Sequence, residues 1–211
     1  NGHYACRSMK GVNDLPENLQ GEEMVTQFRM EEPVLKSYAL YFRKFIEAYA
    51  LEGIAITAVH PQNELNSCQN FPSCIWRPED MARFIGAYLG PELADAGMKT
   101  EIYMGTVERP QIERLDPILQ DPLASKYIRG VGFQWAGKDA IAAVHAKYPK
   151  LSLIQSETEC GDGSNDWKAA EHTWELMQHY LKNEAGAYMY WNMILDETGK
   201  SRWGWKQNSM I

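Results

Sequence analysis

The sequence of 211 residues has little cysteine: Cys6, Cys68, Cys74 and Cys160 are all there is. Four scattered thiols do not make a disulfide framework, although Cys68 and Cys74 could bridge a loop. Their C-x5-C spacing fits zinc poorly, and no histidine pair stands nearby at ligand spacing, so no metal site is expected. Basic charge is also short. Lys plus Arg total 21 against 28 Asp plus Glu, a net charge of −7, which disfavours a nucleic-acid partner wanting a basic stripe. No run of roughly 18 apolar residues occurs, so no membrane-spanning helix is expected. There is no N-x-S/T sequon, no internal repeat and no low-complexity tract. The first residue is Asn1 and no charged-then-apolar leader follows, so the chain reads as a piece of something longer.

Aromatic residues, by contrast, are plentiful, with seven Trp and eleven Tyr. Most such rings build cores, and some form flat platforms for sugar rings. The length suits one domain with one sizeable core.

Residues 1–32 are broken by Gly11, Pro16 and Gly21 and read as a loop. Pro33 then opens a helix with Val34, Tyr38, Tyr41, Phe45 and Ala48 at helical spacing, ending at Gly53. The apolar run 54–59 reads as a strand. Met81, Phe84, Ile85, Tyr88 and Leu89 predict a second helix, closed by Gly90-Pro91. Further strands are expected at Thr100–Thr106, Ile128–Trp135, Leu151–Ser156 and Ala187–Trp191. Short helices are expected within 111–126, and longer ones at Lys138–Lys147 and Trp167–Leu181, the last capped by Asn165 or Asp166. Strict alternation of strand and helix means right-handed crossovers and a parallel α/β sheet. Five units cannot close a barrel of eight, for which about 250 residues is typical. Either a small open sheet or part of a barrel satisfies the pattern.

Two strand ends carry unexpected polarity. The run GIAITAV ends in His60-Pro61-Gln62-Asn63-Glu64, and the fourth strand ends in Ser156-Glu157-Thr158-Glu159. In a parallel sheet both ends face the carboxyl edge, where α/β sites form. A lone glutamate there is usually a solvated loop residue. Two of them, beside amides and aromatics, meet the needs of glycoside hydrolysis, in which one carboxyl protonates the leaving oxygen and the other attacks or activates water.

The order of motifs resembles glycoside hydrolase family 30, the family of glucosylceramidases, β-1,6-glucanases and related retaining β-glycosidases. The resemblance rests on Gln62-Asn63-Glu64 followed by FPSCIWRPEDMARFIGAYLGPEL, on Ser156-Glu157, and on YWNMIL at 190–195. It covers most of the chain from about residue 33 to 208. It implies a (β/α)8 TIM barrel represented here by strands 4–8, with residues 1–32 a loop after unit 3 and residues 33–211 units 4–8. It implies Glu64 as acid/base, Asn63 as a partner of the sugar 2-hydroxyl, and Glu157 as nucleophile. Gln134, Trp135, Trp191 and Asn192 are expected to line the same pocket. No metal or organic cofactor is implied. The expected partner is a β-linked glycoside or oligosaccharide, and the family implies an extracellular or periplasmic setting. The missing barrel units and a β-sandwich domain are expected in a longer parent protein.

Two departures stand out. The family's Asn-Glu-Pro is here Asn63-Glu64-Leu65, which loosens a loop restraint. The run SETE offers Glu159 as a second candidate nucleophile, which alternation cannot separate from Glu157 because residues two apart share a face. The rival reading is a non-hydrolytic carbohydrate-binding protein on the same scaffold, which the presence of both carboxylates disfavours.

Overall fold

The computed structural model describes residues 25–67, 73–200 and 206–208. Five strands form one sheet in the order β1-β2-β3-β4-β5, every neighbouring pair parallel. They are β1 (Ala58–Val59), β2 (Glu101–Val107), β3 (Ile128–Gln134), β4 (Ser152–Glu157) and β5 (Ala185–Tyr188). Sequential order without reversal is the winding of a barrel. A doubly wound sheet would reverse its strand order at a switch point. The fold is therefore part of a TIM barrel, as expected, and the alternative of a small open sheet falls away.

Helix α1 (Glu32–Leu51) has proline in its first turn and turns Leu35, Ala39 and Ile46 inward. Gly53, at φ 78°, then lets the chain leave in a left-handed conformation. The second helix differs from its expected end at Gly90-Pro91. Helix α2 (Pro78–Phe84) passes through a π-helical turn (Ile85–Leu89) into α3 (Gly90–Asp95). Pro91 has no N–H for an α-helical bond, and the wider turn, in which Gly90 N–H reaches the Ile85 carbonyl, absorbs the defect. The segment 111–126 forms α4 (Asp116–Leu119) between two 3-10 turns, Ile112–Arg114 and Ala124–Lys126. A further 3-10 stretch (Trp135–Ala140) precedes α5 (Ile141–Lys147). Helix α6 (Trp167–Lys182) is capped by Asp166, whose side chain accepts from the Ala169 N–H, one of the two caps expected.

The outward face of the sheet is the core. Ile102, Met104, Val131, Phe133 and Leu153 are buried there in one cluster with Ile85, Leu89, Ile118, Ile141, Val144 and Tyr180 from the helical layer. The concave face carries small or polar groups instead. A side chain at Gly132 would strike His60 at 2.7 Å and Ser156 Oγ at 3.3 Å, and one at Gly130 would strike the Tyr103 ring at 2.6 Å. Glycine at these places is what lets larger neighbours lie flat across β3.

The two edge strands are shorter than the apolar runs suggest. β1 pairs with β2 only at Ala58 and Val59. β5 ends at Tyr188, three residues before the expected Trp191. No helix among the described residues is long and apolar enough to cross a membrane. Cys160 is a buried free thiol. Cys68, and with it the possible loop bridge, lies outside the described residues, as do Trp203 and Trp205 of the tail.

Candidate active site

The polar cluster after β1 folds back over the carboxyl end of the sheet. Asn63 and Glu64 meet the end of β2 through one hydroxyl. Thr106 Oγ1 accepts the Glu64 N–H at 3.1 Å and donates to Asn63 Oδ1 at 2.8 Å, which uses a hydroxyl's single proton and one lone pair. Glu64 has φ 47°, a left-handed conformation that a non-glycine residue holds only when its surroundings impose it, at about 1–3 kcal/mol. The carboxyl is buried, with 6% of the residue exposed. Gln134, fully buried at the end of β3, donates Nε2–H to Glu64 Oε1 at 2.9 Å and to Asn63 Oδ1 at 3.3 Å. Gln62 is held in turn by the Trp76 indole N–H at 3.1 Å.

Glu157 closes β4 on the other side of β3. Register explains how it gets there. Phe133 pairs with Gln155 but Gln134 pairs with Glu157, so β4 gains one residue at this step. Strict alternation would place Ser156 beside Gln134. The irregularity brings Glu157 there in its place, as bulges near sites do. Trp135, the residue after Gln134, donates its indole N–H to Glu157 Oε1 at 2.9 Å. Gln134 and Trp135 are adjacent in the chain and hold one carboxylate each. Burial pushes the Glu157 carboxyl above its usual value, the Trp135 hydrogen bond opposes that rise, and the charge of Glu64 adds to it.

Glu159 sits in a different setting. Lys138 Nζ meets its Oε1 at 2.8 Å, and Thr158 Oγ1 donates to Oε2 at 2.6 Å. Burial pushes its carboxyl up, but the Lys138 and Thr158 hydrogen bonds outweigh that and hold it below the usual range. It is a paired, ionised group whose two oxygens are both engaged.

Trp191 and Asn192 lie beyond β5. Trp191 is 40% exposed, and Asn192 Nδ2 donates to Gln207 Oε1 at 2.6 Å. The hydrogen bonds that bring Asn63, Glu64, Gln134, Trp135 and Glu157 together do not include this pair. His60 is half-buried below the cluster, its Nδ1 2.8 Å from the Gly105 carbonyl. A carbonyl only accepts, so Nδ1 carries the proton. Burial holds the ring below its usual pKa, against the Gly105 bond.

Three residues at the site went unread in the sequence: Thr106, Glu108 and Lys138. The run Thr106-Val107-Glu108-Arg109-Pro110 does carry a legible signal, since it is another strand that ends in polar residues. Glu108 is almost fully buried, and its Oε1 accepts from the Asn66 N–H at 2.8 Å and from Ser67 Oγ at 3.0 Å.

Comparison with known proteins gives the chain its family. Lysosomal acid glucosylceramidase of Mus musculus is 27% identical over 186 residues, 80% of this chain and 36% of its own length. Endo-1,6-beta-D-glucanase BGN16.3 of Trichoderma harzianum is 28% identical over 157 residues, 71% of this chain and 31% of its own. Among solved structures, an endo-beta1,6-glucanase superposes with a TM-score of 0.73 at 28% identity, covering 84% of this chain and 42% of that one. The SrfJ protein of Salmonella typhimurium superposes at 0.76 with 22% identity, over 89% of this chain and 44% of that one, which speaks for the fold alone. The chain thus spans well under half the length of these relatives. The model of the glycosyl hydrolase family 30 TIM-barrel domain matches residues 17–209, and the chain belongs to that family.

Proposed function

We propose that the protein carrying this chain is a retaining β-glycosidase, with Glu157 as nucleophile and Glu64 as acid/base. The observation that supports this reading best is the division of labour by Gln134 and Trp135, consecutive residues that each hold one of the two carboxylates. Glu157 attacks the anomeric carbon while Glu64 passes its proton to the departing oxygen. The bond from sugar to aglycone breaks as the glycosyl–Glu157 ester forms. Glu64, now a carboxylate, takes a proton from water as that water attacks the same carbon, and Glu157 leaves. Charge and protons balance over the two steps.

Asn63, held by Thr106 and Gln134, is positioned to bond the 2-hydroxyl, an interaction that tightens as positive charge grows at the anomeric carbon. The Trp135 bond suits a nucleophile: it favours the ionised form against the burial that disfavours it. Glu159 fits that role less well, because Lys138 and Thr158 already occupy both its oxygens. The names of the relatives point to a β-linked glucoside as substrate. Residues 33–211 would supply units 4–8 of the barrel, and the remaining units would come from the rest of a longer protein. The non-hydrolytic alternative has no observation in its favour.

The test is covalent trapping in the full-length protein. A 2-deoxy-2-fluoro β-glucoside with a dinitrophenyl leaving group should stall at the ester. Peptide mass spectrometry should then find the added sugar on Glu157. A label on Glu159, or inverted product stereochemistry by proton NMR, would overturn the assignment.

A further inference from the structure

Glu64 sits in a left-handed turn, and the end of β2 grips that turn on both sides. Ahead of the carboxyl, Thr106 holds the Glu64 N–H and the Asn63 side chain. Behind it, the turn continues through the Ser67 N–H to the Glu64 carbonyl at 2.9 Å. There Glu108, two residues after Thr106, takes the Asn66 N–H and the Ser67 hydroxyl on the same oxygen, Oε1. A buried carboxyl oxygen that accepts two hydrogen bonds from one turn is a strong local restraint, because moving it would leave buried donors unpaired. The second Glu108 oxygen, Oε2, is buried with no hydrogen-bond partner among the described residues, so the side chain is kept in an environment that costs it solvation. Burial pushes the carboxyl up, and the Asn66 and Ser67 bonds act the other way. What the turn needs at this place is an accepting oxygen.

We infer that Glu108 is a positioning residue for the acid/base: through Asn66 and Ser67 it locks the Glu64 turn so that the carboxyl meets the departing oxygen. Glu108 touches no substrate in this scheme. It acts wholly through the turn, and the inference rests on the reading of Glu64 given above.

The leaving group separates such a role from a merely structural one. A phenol needs a proton as it departs, whereas 2,4-dinitrophenol departs without one. In the full-length protein, kcat/KM is measured for phenyl and 2,4-dinitrophenyl β-glucosides with the parent, E64A, E108A, E108Q and S67A. E64A should lose on the order of 10²–10⁴-fold with the phenyl substrate and far less with the dinitrophenyl one. E108A should show the same selective loss at a smaller size, up to about 10²-fold, the scale of an ångström-level misplacement. E108Q keeps the accepting oxygen and should recover most of it. S67A removes one of the two donors and should give a weaker version, which preserves the test if E108A fails to fold. Equal losses on both substrates for E108A or S67A would refute the positioning role while leaving the glycosidase reading intact. An E64A variant without leaving-group selectivity would overturn the acid/base assignment itself, and the inference with it.

Discussion

Replacing Trp135 with phenylalanine tests the proposed nucleophile without touching it. The ring stays, and the one polar atom that holds Glu157, the indole N–H at 2.9 Å, is removed. That bond favours the ionised carboxylate, whereas burial and the charge of Glu64 favour the protonated form. Its loss must therefore raise the pKa of Glu157, which already stands above the usual value. A hydrogen bond to a charged group is worth about 1.5–3 kcal/mol when dry. Glu157 is only half-buried, so water recovers part of that, and a net change of about 1.4 kcal/mol corresponds to one pKa unit. A nucleophile must be ionised to attack. The acid limb of kcat/KM against pH, which reports the free enzyme, should thus move upward by about one unit in W135F. The assay uses a dinitrophenyl β-glucoside, so that proton donation by Glu64 does not enter the first step. An acid limb that stays in place, or moves down, in a folded W135F protein would refute the assignment of Glu157 as the group that limits activity in acid.

Two further substitutions probe the framework. E159Q should retain turnover, because the Glu159 oxygens serve Lys138 and Thr158; a dead E159Q beside an active E157Q would exchange the two roles. The depressed Glu159 pKa contributes stability that is present above the ordinary carboxyl value of 4.5 and lost as pH falls through the native value. The parent should therefore exceed E159Q in chemical denaturation at pH 7 by about 0.5–1 kcal/mol, a margin that closes in acid. G137A should be severe: the added carbon would stand 1.8 Å from the Val107 carbonyl oxygen and 2.6 Å from its carbon, both backbone atoms that cannot rotate away. A cost of about 3 kcal/mol, or about 6–12 °C in melting temperature, is expected. G186A, whose nearest neighbour is 3.8 Å away, serves as the tolerant control, and a G137A melting curve equal to it would contradict the packing described.

Most of the fold was legible because its central strands and amphipathic helices carry strong periods. The ends of β2, β3 and β4 each lie within one residue of the apolar runs that announce them, since both neighbours of each strand are present to complete its ladder. The edges were harder. The mostly apolar run 54–59 spans six residues, but only Ala58 and Val59 find partners, because a strand needs a neighbour and β1 has one on one side alone among the described residues. The continuation of the second helix past Gly90-Pro91 was unreadable for another reason. Propensity marks that dipeptide as a stop, and the π turn that carries the helix through it depends on packing: a side chain at Gly90 would collide with the Tyr127 ring at 2.2 Å.

The site divides the same way, into what chain chemistry states and what register decides. Amides and carboxylates at strand ends are visible in any linear reading, and Asn63, Glu64 and Glu157 drew attention by that rule, whereas Gln134 and Trp135 were expected through the family resemblance. The rule could not say that Glu157 faces Gln134, because alternation from Gln155, buried on the outward side, sends Glu157 outward as well. The extra residue in β4 reverses this at the last step. A second irregularity, between Met104 and Val107, lies beside Gly105, whose φ of 89° suits glycine, and Thr106 follows it to meet Asn63 and Glu64. Each carboxylate is thus delivered by a break in the sheet next to it. Regular pairing to the end of β4 would leave Glu157 on the outward face, which is why substitutions that restore regular pairing beside Ser156 should lower kcat/KM of the full-length protein more than its melting temperature.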